Sequence, residues 1–430
     1  MFFNTEPLIF LLFIRHLKVK ICNLTVLQPM VLIEQNIYHF GLTNNRGNMI
    51  MNHPITCNED LRQLAKKRVP RAIFDYVDRG SYDESTITAN RQQLANIQLR
   101  QRVMIDVGQR QLGTTLVGET ASMPLAIAPT GLTGIMHGSG EILAAQAAEE
   151  AGIPFTLSTM SICSIEQVRE KTTKPFWFQL YVMRDRGFVR ELIERAKAAE
   201  CSALMLTADL QIQGQRHQDI KNGLSVPPRL TLKNALDMAT KPRWVGGLLT
   251  SPSRSFGNLN TAKTDGNSMK TLSEWIAGQF DPSLTWDDVE WIKQHWPGKL
   301  IIKGVLDAED ARHAVHAGAD AVVVSNHGGR QLDYAPAAIE MLPAIIDAVG
   351  GNTQVLFDSG IRSGQDLLKA MAMGAQGGLI GKAFLYGLGA MGKQGVTTAI
   401  ELIRKELDVS MALTGNCDIN QLRSNTIFTP

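Results

Sequence analysis

The sequence predicts an α/β fold of the (β/α)8 TIM-barrel class. Three observations predict it: eight short apolar runs between residues 123 and 383, stretches of helical period between them, and polar side chains where the runs end. The runs are 123–129 (MPLAIAP), 154–158 (PFTLS), 176–182 (FWFQLYV), 203–209 (ALMLTAD), 299–305 (KLIIKGV), 321–327 (AVVVSNH), 354–360 (QVLFDSG) and 377–383 (GGLIGKA). Runs this short, bounded by turn residues, suit parallel strands covered on both faces. Between them, Val189, Leu192, Ile193 and Ala196 form an apolar stripe behind Asp185, a candidate N-cap. Ala311, Ala314, Val315 and Gly318 do the same behind Asp307, and Leu367, Ala370, Met371 and Gly374 behind Ser363, with Asp366 as the second half of a capping-box-like pair. Strands alternating with such helices close into a barrel.

Two segments stand outside the repeat. Residues 52–122 read as a helical lead-in, through NEDLRQLAKKR and PRAIFDYVDRG. Residues 210–298 form a long insertion after the fourth strand, where a short connection is usual. Its middle mixes Leu230, Leu232, Leu236, Trp244, Leu248 and Leu249 with Lys233, Lys241 and Arg243, and a Ser/Asn/Gly/Thr-rich stretch runs from Ser251 to Ser268. A surface lid and a membrane-surface patch are both consistent with that mixture. Residues 1–50 are expected to be a disordered leader or an over-extended start, and 51–430 the barrel domain. The apolar run Leu8–Ile14 is far short of the ~20 residues a membrane span needs.

The net charge of +2, with no long basic run, gives no reason to expect nucleic acid. Five scattered cysteines without CxxC spacing argue against a disulfide framework or a zinc site and for a reducing compartment.

Chemistry gathers where the runs end. Those positions carry Thr130, Ser158, Gln179 with Tyr181, Thr207 with Asp209, Lys303, Ser325 with His327, Asp358, and Lys382. In such barrels this rim is the active-site face. The sixth run leads into Ser325-Asn326-His327-Gly328-Gly329-Arg330, a proton acceptor and a carboxylate-binding fork separated by glycines that admit a flat ligand. Asp358-Ser359-Gly360-Ile361-Arg362-Ser363 and Gly381-Lys382 read as a phosphate site beside helix N-termini. No GxGxxG opens a βαβ unit and no Walker A motif is present, which disfavours a nicotinamide on a Rossmann domain. A mononucleotide with its ring over the barrel mouth fits better, and FMN is the natural candidate. Gln179 can bond a pyrimidine edge, and Lys303 can place positive charge near the ring.

At these residues the chain resembles the FMN-dependent 2-hydroxy-acid dehydrogenase/oxidase family, over about residues 56–424. SNHGGRQLD at 325–333 is the most specific motif. FQLYVMRDRGF (178–188), PFTLST (154–159) and FDPSLTWDDVEWI (280–292) resemble the bacterial respiratory, non-nicotinamide L-lactate dehydrogenases within it. The resemblance implies that His327 is the base, Asp209 its partner, and Arg330 the clamp on the substrate carboxylate. Tyr76, Tyr181 and Arg216 would complete the pocket, with Met160 beside them. Thr130, Gly131, Ser158, Gln179, Thr207, Lys303 and Ser325 would hold the flavin ring and ribityl chain. Asp358, Gly360, Arg362, Gly381 and Lys382 would hold the ribityl-phosphate end. It further implies L-lactate as substrate, quinone or a respiratory component as acceptor, a homotetramer, and peripheral attachment to the inner face of the cytoplasmic membrane through the insertion. A soluble oxidase that reduces oxygen and a mandelate-type dehydrogenase are the alternatives within the family. A barrel that binds flavin without catalysis is the alternative outside it. The chain departs from the pattern at Lys382, usually arginine, at Met160, where glycolate oxidases carry tryptophan, and at Gln211-Ile212-Gln213, where the lactate enzymes carry proline.

Overall fold

The computed structural model describes residues 54–224, 231–253, 255–259, 278–423 and 425–429. The leader expected over 1–50, Leu230, and the insertion from residue 260 to 277 lie outside them.

Strands β1 (Thr114–Leu116) and β2 (Glu119–Ala121) form an antiparallel hairpin. Then come β3 (Leu125–Ile127), β4 (Thr156–Ser158), β5 (Trp177–Leu180), β6 (Ala203–Thr207), β7 (Lys299–Val305), β8 (Ala321–Val324), β9 (Gln354–Phe357) and β10 (Gly377–Ile380). These eight make one parallel sheet in the order β3-β10-β9-β8-β7-β6-β5-β4. A parallel bridge between Ile127 and Phe155 joins its two edges and closes the barrel. All eight predicted runs contain a strand; β7 fills its run, 299–305, and the other seven are shorter than theirs.

The strands looked uniformly apolar because both faces are buried, in two separate cores. Ala126, Ala128, Trp177, Ala203, Met205, Ile301, Ala321, Val323, Leu356 and Leu379 pack together inside the barrel. Their neighbours in sequence, such as Ile127, Phe178, Leu204, Ile302, Val322 and Phe357, pack outward against the helices. Side chains alternate along a strand. Thr130, Gln179, Thr207, Lys303, Ser325 and Asp358 therefore stand two residues beyond inward-facing apolar ones, as the polar top layer of the interior. The hairpin plugs the opposite end: Leu116 and Val117 join the inner core, and Glu119 Oε1 accepts from Trp177 Nε1 at 2.6 Å. The barrel interior is thereby left open at its C-terminal mouth.

The helix starts follow the expected caps. Asp185 accepts from the Phe188 N–H at 3.0 Å, Asp307 from Glu309 at 2.7 Å, and Ser363 Oγ from Asp366 at 3.0 Å. Asp366 departs from the expected box: its carboxylate takes the Arg362 N–H at 3.0 Å and Arg91 Nη1 at 2.8 Å. The lead-in holds helices Asn58–Arg68, Arg71–Asp78 and Ser85–Asn96, then the hairpin, whose three-residue strands are too short to show a period. The insertion contains helices His217–Lys221, Leu232–Ala239 and Pro242–Thr250. Helix Trp286–His295 leads directly into β7 and is the barrel's own connecting helix, so the inserted chain ends near residue 285 rather than 298.

Candidate active site

Beyond β8 the chain turns through three successive left-handed residues, His327 (φ 59°), Gly328 (φ 65°) and Gly329 (φ 71°). That conformation is costly for a side-chain-bearing residue and is held by short bonds. The His327 N–H donates to Ser325 Oγ at 3.0 Å, and Ser359 Oγ accepts from the N–H groups of Gly328 (3.0 Å) and Asn326 (3.2 Å). The turn brings the imidazole to Asp209, just past β6, with Nδ1 2.9 Å from Oδ1. Burial holds the His327 pKa below 6.5 against the pull of Asp209, and the Lys303 charge lowers it further. For Asp209, burial works upward but is outweighed by His327 and Lys303, which hold the carboxyl below its ordinary range. The resting pair is a neutral imidazole against a carboxylate, with Nε2 left for the cavity.

Asp209 has room because β7 carries a bulge between Lys303 and Val305. Gly304 sits there at φ 100°, and a Cβ on it would lie 2.6 Å from Asp209 Cγ. The sequence reading passed over Gly304, although a glycine inside a strand signals a bulge or a close approach. Replacing Gly304 by alanine should displace Asp209, destabilise the fold by about 1–3 kcal/mol and slow the chemistry about tenfold or more. Thermal melting and single-turnover kinetics on flavin-loaded protein check both.

Arg330 follows the turn. Its Nη1 donates to the carbonyl oxygens of Tyr76 and Arg79, and its guanidinium lies 4.7 Å from the Tyr76 ring centroid. Burial, then repulsion from Arg216, pulls its pKa down to about 10, so it stays charged at neutral pH. Arg216 Nε donates to the Arg330 carbonyl at 3.4 Å. Asp219, a buried acid missed in the sequence, opposes both charges, yet burial keeps its own pKa raised. Burial and Asp209 push the Tyr181 phenol up, so it stays protonated, and its ring meets Phe280 edge-on at 6.3 Å.

These groups share one cavity of about 750 Å³. Tyr76, Met160, Tyr181, Arg216, His327 and Arg330 line it, together with Thr130, Gly131 and Lys303, and with Asp358, Gly360, Arg362, Gly381 and Lys382. The other five expected residues, Ser158, Gln179, Thr207, Asp209 and Ser325, stand behind its wall. Ser158 Oγ donates to Gln179 Oε1 at 2.9 Å and the Thr159 N–H reaches the same oxygen at 3.3 Å, which fixes the amide's orientation. Gln179 Nε2 is left buried without a partner. A buried donor without an acceptor is costly, and a carbonyl oxygen on the edge of a flat ring would satisfy it. Lys303 Nζ lies 3.1 Å from Ser325 Oγ and 3.1 Å from Asp358 Oδ2.

Gly381 and Lys382 open helix Lys382–Met391. Lys382 Nζ donates to the Asp78 carbonyl at 2.9 Å. Burial, then Arg330 and Arg362, lower its pKa strongly. Crowded cations at a helix start are a site for a phosphate dianion. The orphaned amide donor, the ammonium of Lys303 and this cationic pocket together fit FMN. Ser359, expected only as part of the phosphate loop Asp358–Ser363, has a second role that depends on contact with the His327 turn, remote in sequence.

Residues 65–429 match the family model described as FMN-dependent dehydrogenase. The chain is 46% identical over 375 residues to an L-lactate dehydrogenase of Caulobacter vibrioides, covering 87% of this chain and 97% of that one. An L-lactate dehydrogenase of Acinetobacter baumannii is 45% identical over 375 residues, covering 87% and 97%. Among solved structures, monotopic membrane (S)-mandelate dehydrogenase superposes with a TM-score of 0.83 at 36% identity, covering 87% of this chain and 99% of that one. Over nearly the whole described barrel, fold, cofactor cradle and sequence agree: the chain belongs to the FMN-dependent dehydrogenase family and is an FMN-dependent oxidoreductase.

Proposed function

We propose that the enzyme oxidises L-lactate to pyruvate and delivers the electrons to a quinone at a membrane surface. The observation that carries the chemistry is His327, which lines one cavity with Arg330 and Arg216 and is bonded at 2.9 Å to Asp209 behind its wall. Arg330 and Arg216 bind the substrate carboxylate, and Tyr76 and Tyr181 donate to its carboxylate and hydroxyl oxygens. Oxidation removes two electrons and two protons from the substrate. FMN, when bound, would supply the acceptor for both electrons and for one of the protons. His327 Nε2 takes the other proton, and Asp209 stabilises the imidazolium that results. Gln179 and Lys303 orient the ring, with Thr130, Gly131, Ser158, Thr207 and Ser325 around it. Asp358, Gly360, Arg362, Gly381 and Lys382 hold the ribityl-phosphate.

The test is anaerobic addition of L-lactate to flavin-loaded protein. Fast bleaching of the flavin absorbance is expected, with slow recovery on admitting air and fast recovery with a quinone. Fast recovery in air would make the protein an oxidase. A second reading, a larger 2-hydroxy acid such as mandelate, is favoured by the apolar wall of Met160, Leu210, Phe256 and Phe280. Bleaching by mandelate but not lactate would select it. Flavin that stays bound and is bleached by neither would overturn both.

The membrane reading is supported by Leu232 (77% exposed), Leu236 (62%) and Leu249 (61%) on helices Leu232–Ala239 and Pro242–Thr250, among Lys233, Lys241 and Arg243. Trp244 is not part of that surface: its Nε1 donates to the Ile135 carbonyl at 2.8 Å and its ring packs on the body. No helix among the described residues is long and apolar enough to cross a membrane; the attachment we propose is peripheral, at the inner face of the cytoplasmic membrane. Replacing Leu232 and Leu236 together by aspartate should weaken binding to anionic vesicles about 100-fold and leave lactate bleaching unchanged; vesicle cosedimentation reads the first. A homotetramer is the expected assembly, checked by sedimentation.

A further inference from the structure

We propose that Asn90, on the lead-in helix Ser85–Asn96, is a positioning residue for His327 and acts through Asn326. The two side chains form a reciprocal amide pair. Asn90 Nδ2 donates to Asn326 Oδ1 at 2.8 Å, and Asn326 Nδ2 donates to Asn90 Oδ1 at 2.7 Å. Both residues are buried, at 3% and 5% exposure. The outer bonds fix which way each amide faces. Asn326 Oδ1 also takes the Gly329 N–H at 3.2 Å, Asn326 Nδ2 reaches the Pro336 carbonyl at 3.1 Å, and Asn90 Oδ1 takes the Ala338 N–H at 3.2 Å.

The pair therefore grips the left-handed run at both ends, through the residue before His327 and through Gly329. The helix that supplies the grip is locked to the same loop. Glu84, at its start, gives no side-chain cap. Asp333, farther along the His327 loop, caps it instead, taking the N–H groups of Thr86 (2.8 Å) and Asp83 (3.0 Å). The Gly329 carbonyl accepts from the Ser81 N–H at 2.9 Å, and a Cβ on Gly329 would lie 2.6 Å from Ile87 N. Loop and lead-in are in backbone contact, so relaxation of Asn326 swings the imidazole relative to Asp209. A buried amide whose partner is removed must shift or stay unsatisfied.

This inference rests on the proposed hydroxy-acid oxidation, and its test keeps the two separable. Flavin-loaded Asn90→Ala should bleach about 10- to 100-fold more slowly at saturating L-lactate. Asn90 also lines the cavity, so the FMN Kd is measured beside the rate and bleaching is compared at saturating FMN, which separates loss of cofactor from a displaced His327. The His327 pKa, read by NMR titration without substrate, should be displaced. Asn90→Asp keeps the acceptor for Asn326 Nδ2 and Ala338 but loses the donation to Asn326 Oδ1; it should show a smaller change of the same kind and serves if the alanine variant does not fold. Asn416→Ala is the control. Asn416 is equally buried, bonds Thr414 Oγ1 (2.9 Å) and Thr426 Oγ1 (3.0 Å) far from the loop, and should lower thermal stability without slowing bleaching. Parental bleaching and an unmoved His327 pKa in the Asn90 variants would overturn the inference, as would equal slowing by Asn416→Ala. A parent protein that neither lactate nor mandelate bleaches would overturn the proposed function, while the His327 titration would still decide the role of Asn90.

Discussion

His327→Gln should retain FMN and lose its reduction by L-lactate, with the bleaching rate falling by about 10²–10⁴-fold, the range a positioned base contributes. Glutamine approximates the size of imidazole and can keep a bond toward Asp209, but it accepts no proton at neutral pH. The cradle at Gln179, Lys303 and Lys382 is separate from the exchanged group, so the flavin spectrum should be unchanged. The sign of the pH dependence follows from the resting pair. Burial holds the imidazole below 6.5, so it is neutral and competent at pH 7. The bleaching rate should be level above that range and fall as pH drops through the lowered imidazole pKa, where His327 arrives already protonated. Asp209 also has a depressed pKa, so the acid limb reports the His327–Asp209 pair. Anaerobic stopped-flow from pH 5 to 9 on parent and variant measures both effects. A variant that bleaches at the parental rate would remove His327 from the mechanism.

How much of this was legible in the sequence depended on whether the signal was local. The eight strands were, because each is a continuous apolar run between turn residues. The polar top layer was too, because Gln179 and Lys303 sit directly after the apolar stretches Phe176–Phe178 and Leu300–Ile302. The limits of the strands were not: β3 stops at Ile127 and β9 at Phe357, since ladder bonds end before the hydrophobic run does. Gly304 was visible as a glycine in a strand, but its meaning requires Asp209, which lies just past the neighbouring strand β6. Asn90 gave no local sign, and Ser359 showed only as a member of the phosphate loop, not as a partner of the His327 turn. Each matters only because barrel closure and the lead-in bring it against the Ser325–Arg330 turn. The insertion misled in a different way. Trp244 beside Arg243 suggested an interface, but indole N–H groups seek a partner when buried, and Ile135 supplied one. In the proposed membrane attachment the exposed Leu232, Leu236 and Leu249 carry that surface instead.

Arg330→Lys is the second substitution with a large expected effect, and it separates charge from geometry. Lysine keeps a positive charge near Arg216, Tyr76 and Tyr181, but offers a single ammonium where the guanidinium offers a planar fork. The fork is already divided: Nη1 serves the carbonyl oxygens of Tyr76 and Arg79, which leaves the other edge for the acid. A shorter lysine cannot satisfy both. If its ammonium stays with the carbonyls, the carboxylate loses a charge-assisted bond worth about 1.5–3 kcal/mol. KM for L-lactate should then rise about 10- to 100-fold, with a smaller fall in the limiting bleaching rate as the substrate sits less squarely before His327. If the ammonium turns to the acid, the carbonyl oxygens at Tyr76 and Arg79 lose a donor, and the loss should appear in thermal stability. Arg330→Met removes both possibilities and should raise KM further. It also takes away a positive charge that depresses Lys382, so FMN should bind no more weakly than in the parent. Fluorescence titration of FMN beside steady-state kinetics reads these together. A KM unchanged in both variants would leave Arg216 as the carboxylate's main partner.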